Sequence, residues 1–106
     1  MDKKKTLSEL QKKVDKWIEE YGGGYWDPLS MFAALMEEAG ELAREINYQQ
    51  GYKPKKSKDT KHNIKEEIGD LLFALICIAN YFKIDLESEL KKTLSKFTER
   101  DGTRFL

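Results

Sequence analysis

An all-α fold of four helices is what this 106-residue chain predicts, and three observations carry that expectation. Apolar residues recur at helical spacing in four separate stretches, each stretch opens on a residue able to cap a helix, and glycine, proline or a lysine-rich run divides one stretch from the next. No stretch reads convincingly as a strand. The length fits one domain, residues 1–106, whose helical bundle a second copy could help to complete. Charged residues make up 36% and the mean hydropathy is −0.70, yet 40% of the chain is hydrophobic and clustered with a period, so it is expected to fold.

The first helix opens on a capping box, Thr6 with Glu9, and carries Leu7, Leu10, Val14, Trp17, Ile18 and Tyr21 at helical spacing. It stops at Gly22, Gly23 and Gly24, and Trp17 is assigned to the core. The second takes Asp27 as N-cap and Pro28 as its first residue, and runs to about Gln50 with Gly51 behind it. Residues 52–62, "YKPKKSKDTKH", read as a loop. Asn63 and Glu66 form a second box, from which a third helix reaches about Phe82, and Asp85 caps a fourth that ends before Gly102. Short connections favour antiparallel neighbours and hence a bundle.

Composition excludes several function classes. A formal net charge of zero gives no global attraction to nucleic acid or to an anionic membrane. The five lysines at 53, 55, 56, 58 and 61 lack any recognised nucleic-acid module, and a solvated loop is the first reading for them. Lys3, Lys4 and Lys5 precede an amphipathic segment, not the apolar region of a signal peptide, and the longest apolar run, "LLFALICIA", is too short to span a bilayer. One cysteine permits no intrachain disulfide, which fits a cytoplasmic location, and Cys77 reads as a small buried hydrophobe.

The unusual feature is a crowd of carboxylates. On a helical wheel Glu37, Glu38, Glu41 and Glu45 fall on one arc of the second helix, opposite Met31, Phe32, Leu35, Leu42 and Ile46. Alone, that is the pattern of a solvated face. The third helix shifts the balance: Glu67 and Asp70 are neighbours at i and i+3, and beyond Asp70 the helix is apolar on every side, so both acids stand at the rim of a buried element. Two carboxylates about 4 Å apart repel by roughly 4 kcal/mol at an effective dielectric of 20, which calls for raised pKa values, basic partners or a bound cation. Oxygen ligands of this kind suit Mg²⁺, which also binds substrate phosphates. A di-iron site would need Glu-x-x-His, and the one histidine, His62, lies in the lysine-rich loop with Asp59 as the nearest approach to that motif.

"EEAGE" at residues 37–41 and "EIGD" at 67–70, with "GYWDPLSM", "GELAREIN", "KPKK" and "KFTERDGTRF" around them, give the chain a resemblance over nearly its whole length to the MazG-like nucleoside triphosphate pyrophosphohydrolases, in particular to their small single-domain members. The resemblance implies an all-α enzyme that hydrolyses a (deoxy)nucleoside triphosphate to the monophosphate and pyrophosphate with Mg²⁺, Mn²⁺ possible in its place, as a homodimer or dimer of dimers engaged in nucleotide-pool housecleaning. Carried over by position, Glu38, Glu41, Glu67 and Asp70 match metal ligands, Glu37 matches an outer group or the base that orients water, and Lys96 and Arg100 match residues that meet the phosphates. Trp26, Tyr25 and Tyr52 flank the second helix and could stack on a base. Where relatives often carry tryptophan near the C-terminus, this chain has Phe105. The rival readings are a non-enzymatic helical interaction module and a related all-α phosphohydrolase acting on dUTP or phosphoribosyl-ATP.

Overall fold

A computed structural model describes residues 4–51 and 63–101, and within them every regular element is helical. Helix α1 spans Leu7–Trp17, α2 Pro28–Gln49, α3 Ile64–Tyr81 and α4 Leu86–Asp101. All the starts follow from side-chain caps. The Thr6 hydroxyl accepts the Glu9 amide while the Glu9 carboxylate accepts the Thr6 amide, so the predicted box is closed in both directions. Asp27 accepts the Ser30 amide, Asn63 the Glu66 amide and Asp85 the Ser88 amide.

The end of α1 differs from the sequence reading in one respect. After Trp17 the chain widens into a single π-helical turn, Ile18–Gly22, before Gly23 at φ 75° and Gly24 at φ 100° reverse it. Their amides both donate to the Ile18 carbonyl. Two successive residues in the left-handed region explain the glycines there, because a Cβ would be strained at either.

Helices α2 and α3 pack along each other, α1 lies against α3, and α4 is held chiefly through α1. Ile18, Met31 and Cys77 form the buried centre, with Val14, Tyr25 and Ile78 packed around it. A polar clamp fixes the start of α4: buried Gln11 donates to the Ile84 carbonyl and accepts the Leu86 amide, and Ser8 binds both Asp85 and Glu87.

Large apolar surfaces stay uncovered. Helix α4 has no buried residue, and its stripe of Leu90, Leu94 and Phe97 faces solvent. The outer side of α2 and α3 exposes Leu29, Phe32, Met36, Ile68, Leu72 and Leu75. The expectation that α3 is enclosed on all sides is therefore met on one side only within a single chain. Trp17, assigned from sequence to the core, is also a correction: it is 49% exposed and walls a cavity. No described helix is long and apolar enough to cross a membrane.

Candidate active site

The antiparallel packing of α2 and α3 brings three acids together. Glu38, Glu67 and Asp70 each present a carboxylate oxygen, and these atoms all lie within 4.8 Å of one another. Burial is graded across the set: Glu67 is 1% exposed, Glu38 half-buried and Asp70 open to solvent. The Glu38 carboxyl is held above the usual carboxylate range, first by burial, then by the charges of Asp70 and Glu67, with a hydrogen bond to Glu67 and the charge of Glu41 adding to the effect. Of these causes, the negative charges of Asp70, Glu67 and Glu41 would favour a cation in the proton's place. Hard oxygen donors of graded exposure, with one open side, suit a divalent ion that keeps some of its water.

The acids stand at the edge of a cavity of about 530 Å³ walled by Trp17, Tyr25, Trp26, Met31, Phe73 and Cys77, among others, with Glu38 and Asp70 in its lining. Trp17 meets Phe73 edge to face, ring centroids 5.8 Å apart. Gly22 and Gly24 line the same space, so the turn that ends α1 also shapes the chamber. Cys77 is buried at this wall, and desolvation pushes its thiol up from its ordinary pKa. An apolar chamber of this size opening onto convergent carboxylates has the anatomy of a small-molecule site.

The other sequence candidates take different positions. Glu41 is outside the three-acid group and forms an ion pair with Arg44 one turn on. Glu37 is exposed. Glu45 is 7% exposed and Glu38 half-buried beside the buried Met31; seven residues put Met31 and Glu38 about 20° apart on the helix, which corrects the reading of the acidic and apolar arcs as opposite: they adjoin, and their border faces α3. Lys96 and Arg100 lie on α4, both over the Phe97 ring, with Arg100 also bound to Asp101. No described residue of α4 lines the chamber. Trp26 stands 63% exposed in the chamber lining, Tyr25 lines it too, and Tyr52, Asp59, His62 and the five loop lysines lie outside the described residues, as does Phe105. Sequence reasoning missed the part of Trp17 in this wall and the polar group of Asp15 and Asn80 behind Tyr25. The glycines directly after Trp17 were the available signal, since a chain reversal there leaves the last aromatic of α1 beside a gap.

Four helices carrying this acidic group and chamber fit a nucleotide pyrophosphohydrolase of the all-α kind, and the comparisons with known proteins give that class. The MazG nucleotide pyrophosphohydrolase domain matches residues 27–105, and the chain belongs to that family. It is 46% identical over 101 residues to the uncharacterised protein YpjD of Bacillus subtilis, covering 95% of this chain and 91% of YpjD. The crystal structure of that protein superposes with a TM-score of 0.82 at 45% identity, covering 94% of this chain and all of the other. The Bacillus-conserved MazG protein, a nucleotide pyrophosphohydrolase, superposes at 0.75 with 43% identity, over 91% of this chain and 92% of its own. The nucleoside triphosphate pyrophosphohydrolase MazG of Thermotoga maritima is 29% identical over 91 residues, 86% of this chain and 31% of the longer protein.

Proposed function

We propose that this chain hydrolyses (deoxy)nucleoside triphosphates to the monophosphate and pyrophosphate with a divalent ion, Mg²⁺ or in its place Mn²⁺, acting on the cytoplasmic nucleotide pool. The observation that carries this reading is the meeting of Glu38, Glu67 and Asp70 within 4.8 Å at the edge of the aromatic chamber. The three acids would hold the ion, and Glu41 would join them on giving up its pairing with Arg44. Bound there, a divalent ion would neutralise charge on the triphosphate and lower the pKa of a water. Glu37, exposed on the same helix, orients or deprotonates that water. The chamber takes the nucleoside, with Trp26 and Trp17 as its stacking surfaces.

The uncovered apolar faces favour a homodimer or dimer of dimers. A lone sixteen-residue α4 with an exposed leucine and phenylalanine stripe is marginal in water, and the outer face of α2 and α3 offers the apolar surface it lacks. Seated on a second copy, α4 carries Lys96 and Arg100 toward the phosphates, where they offset charge on the departing pyrophosphate. The experiment that tests the reading is pyrophosphate release by the purified protein across ribo- and deoxynucleoside triphosphates, dUTP and phosphoribosyl-ATP included, with and without Mg²⁺. Metal-dependent release of pyrophosphate and monophosphate is the expected result. No release from folded protein on any substrate returns the carboxylates to a partner-binding surface.

A further inference from the structure

The aromatic chamber has two ends. At one stand Glu38 and Asp70; at the other, seven residues along α3 from Asp70 and so about 10 Å away along the helix axis, stands Cys77, with Tyr25 packed beside it. Tyr25 stands between that end and Asn80, which lies outside the chamber lining. Its hydroxyl donates to Asp15 Oδ1 on α1 at 2.5 Å, and the Asn80 side chain from α3 reaches the same phenol oxygen. Asn80 Nδ2 also donates to the carbonyl of Gln11, whose side chain holds the start of α4. One phenol therefore ties the connector between α1 and α2 to both of the other helices around the chamber.

That connector needs such a tie. It contains Gly23 and Gly24 in the left-handed region, it supplies Gly22, Gly24, Tyr25 and Trp26 to the chamber wall, and Trp26 itself is 63% exposed. A glycine segment restrains its own path poorly. The Tyr25 ring packs against the buried centre, but a ring in an apolar slot can slide and tilt; the hydroxyl fixes where it stops. Burial and the bond to Asp15 both hold the phenol protonated well above its ordinary pKa, so it stays a donor.

We propose that Tyr25 is a positioning residue for nucleobase discrimination: its hydroxyl, pinned between Asp15 and Asn80, sets the depth of the chamber end remote from the carboxylates, and so which base that end accepts. The inference rests on the reading of the chamber as the nucleoside site. It gives Tyr25 a role other than stacking, because the hydroxyl is turned away to α1 and α3.

The test is Tyr25→Phe, which keeps the ring and removes both polar ties, alongside Asp15→Ala and Asp15→Asn. Steady-state kinetics are measured over a panel of nucleoside triphosphates, with binding of non-hydrolysable α,β-methylene analogues followed by the fluorescence of Trp17 and Trp26. In Tyr25→Phe and Asp15→Ala, KM for the preferred triphosphate is expected to rise about tenfold while kcat stays within about threefold, and the ratio of kcat/KM between best and worst bases to fall at least about fivefold. Asp15→Asn, whose amide oxygen still accepts the hydroxyl, is expected to keep the wild-type ratios. A merely structural tie lowers the melting temperature and leaves those ratios intact, and that result overturns the proposal. A wild-type protein that neither binds nor hydrolyses any nucleotide overturns the nucleotide reading itself, and this inference with it; a wild-type protein that discriminates as sharply as Tyr25→Phe overturns this inference alone.

Discussion

Removing one charge from the three-acid group is expected to stabilise the metal-free protein while destroying its response to metal. Carboxylates 4.8 Å apart repel by about 3.5 kcal/mol at an effective dielectric of 20 and about 0.9 kcal/mol in bulk water. Asp70 is open to solvent, which screens its charge, so the lower half of that range applies. Asp70→Asn should then gain roughly 1–2 kcal/mol in chelator, a rise in melting temperature of several degrees for a domain near this size. The wild-type protein should gain about 2.7 kcal/mol when the ion is at a hundred times its dissociation constant, whereas Asp70→Asn should gain almost nothing and should lose turnover. Circular dichroism melts at 222 nm in chelator and across a Mg²⁺ and Mn²⁺ titration read both effects, with far-ultraviolet spectra confirming intact helices. Two results refute the reasoning: an Asp70→Asn protein less stable than wild type in chelator, or an active wild-type protein whose melting temperature ignores both ions.

Other outcomes follow from the same geometry. Arg44 competes for Glu41, so Arg44→Ala should tighten metal binding by about two- to fivefold, the range of an exposed ion pair, while Glu41→Gln should abolish turnover with helicity retained; calorimetry with Mn²⁺ and a pyrophosphate assay check the pair, and weaker binding by Arg44→Ala contradicts the exchange. Glu38 binds its proton more tightly in the folded than in the unfolded chain, so its contribution is complete below the ordinary carboxylate pKa of 4.5 and is lost as pH rises through the raised folded value. Metal-free stability should therefore fall with pH above 4.5 while metal affinity climbs, and Glu38→Gln should flatten both profiles. Mixing Asp70→Asn with Arg100→Ala, each inactive alone, should restore up to about a quarter of wild-type activity after subunit exchange, because half the dimers are mixed and one site in each is whole. No recovery in verified mixed dimers would place Lys96 and Arg100 on their own chain's site.

The starts of all four helices could be read from Thr6, Asp27, Asn63 and Asp85, since a cap is a contact within four residues and depends on nothing distant. The pairing of Glu67 with Asp70 was readable for the same reason. Which face of α2 turns inward was not. The sequence reading sets glutamates against Met31, Phe32, Leu35, Leu42 and Ile46, and burial of apolar surface alone would seat the second group on α3. In the fold the buried Met31 and Glu45 and the half-buried Glu38, Leu35 and Leu42 face inward together while Phe32 and Ile46 are exposed, so the face that meets α3 straddles the border between the two arcs. Placing carboxylates between packed helices carries a desolvation penalty, and leaving Phe32, Met36 and Ile46 in water forgoes burial on the other face. Each cost would be offset in the proposed assembly, with a cation between α2 and α3 and a second copy over the outside. The border between the two arcs of α2 is thus the physical link between the proposed site and the proposed assembly: turning Glu38 and Glu45 inward beside Met31 leaves Phe32, Met36 and Ile46 outside, where a second copy would cover them.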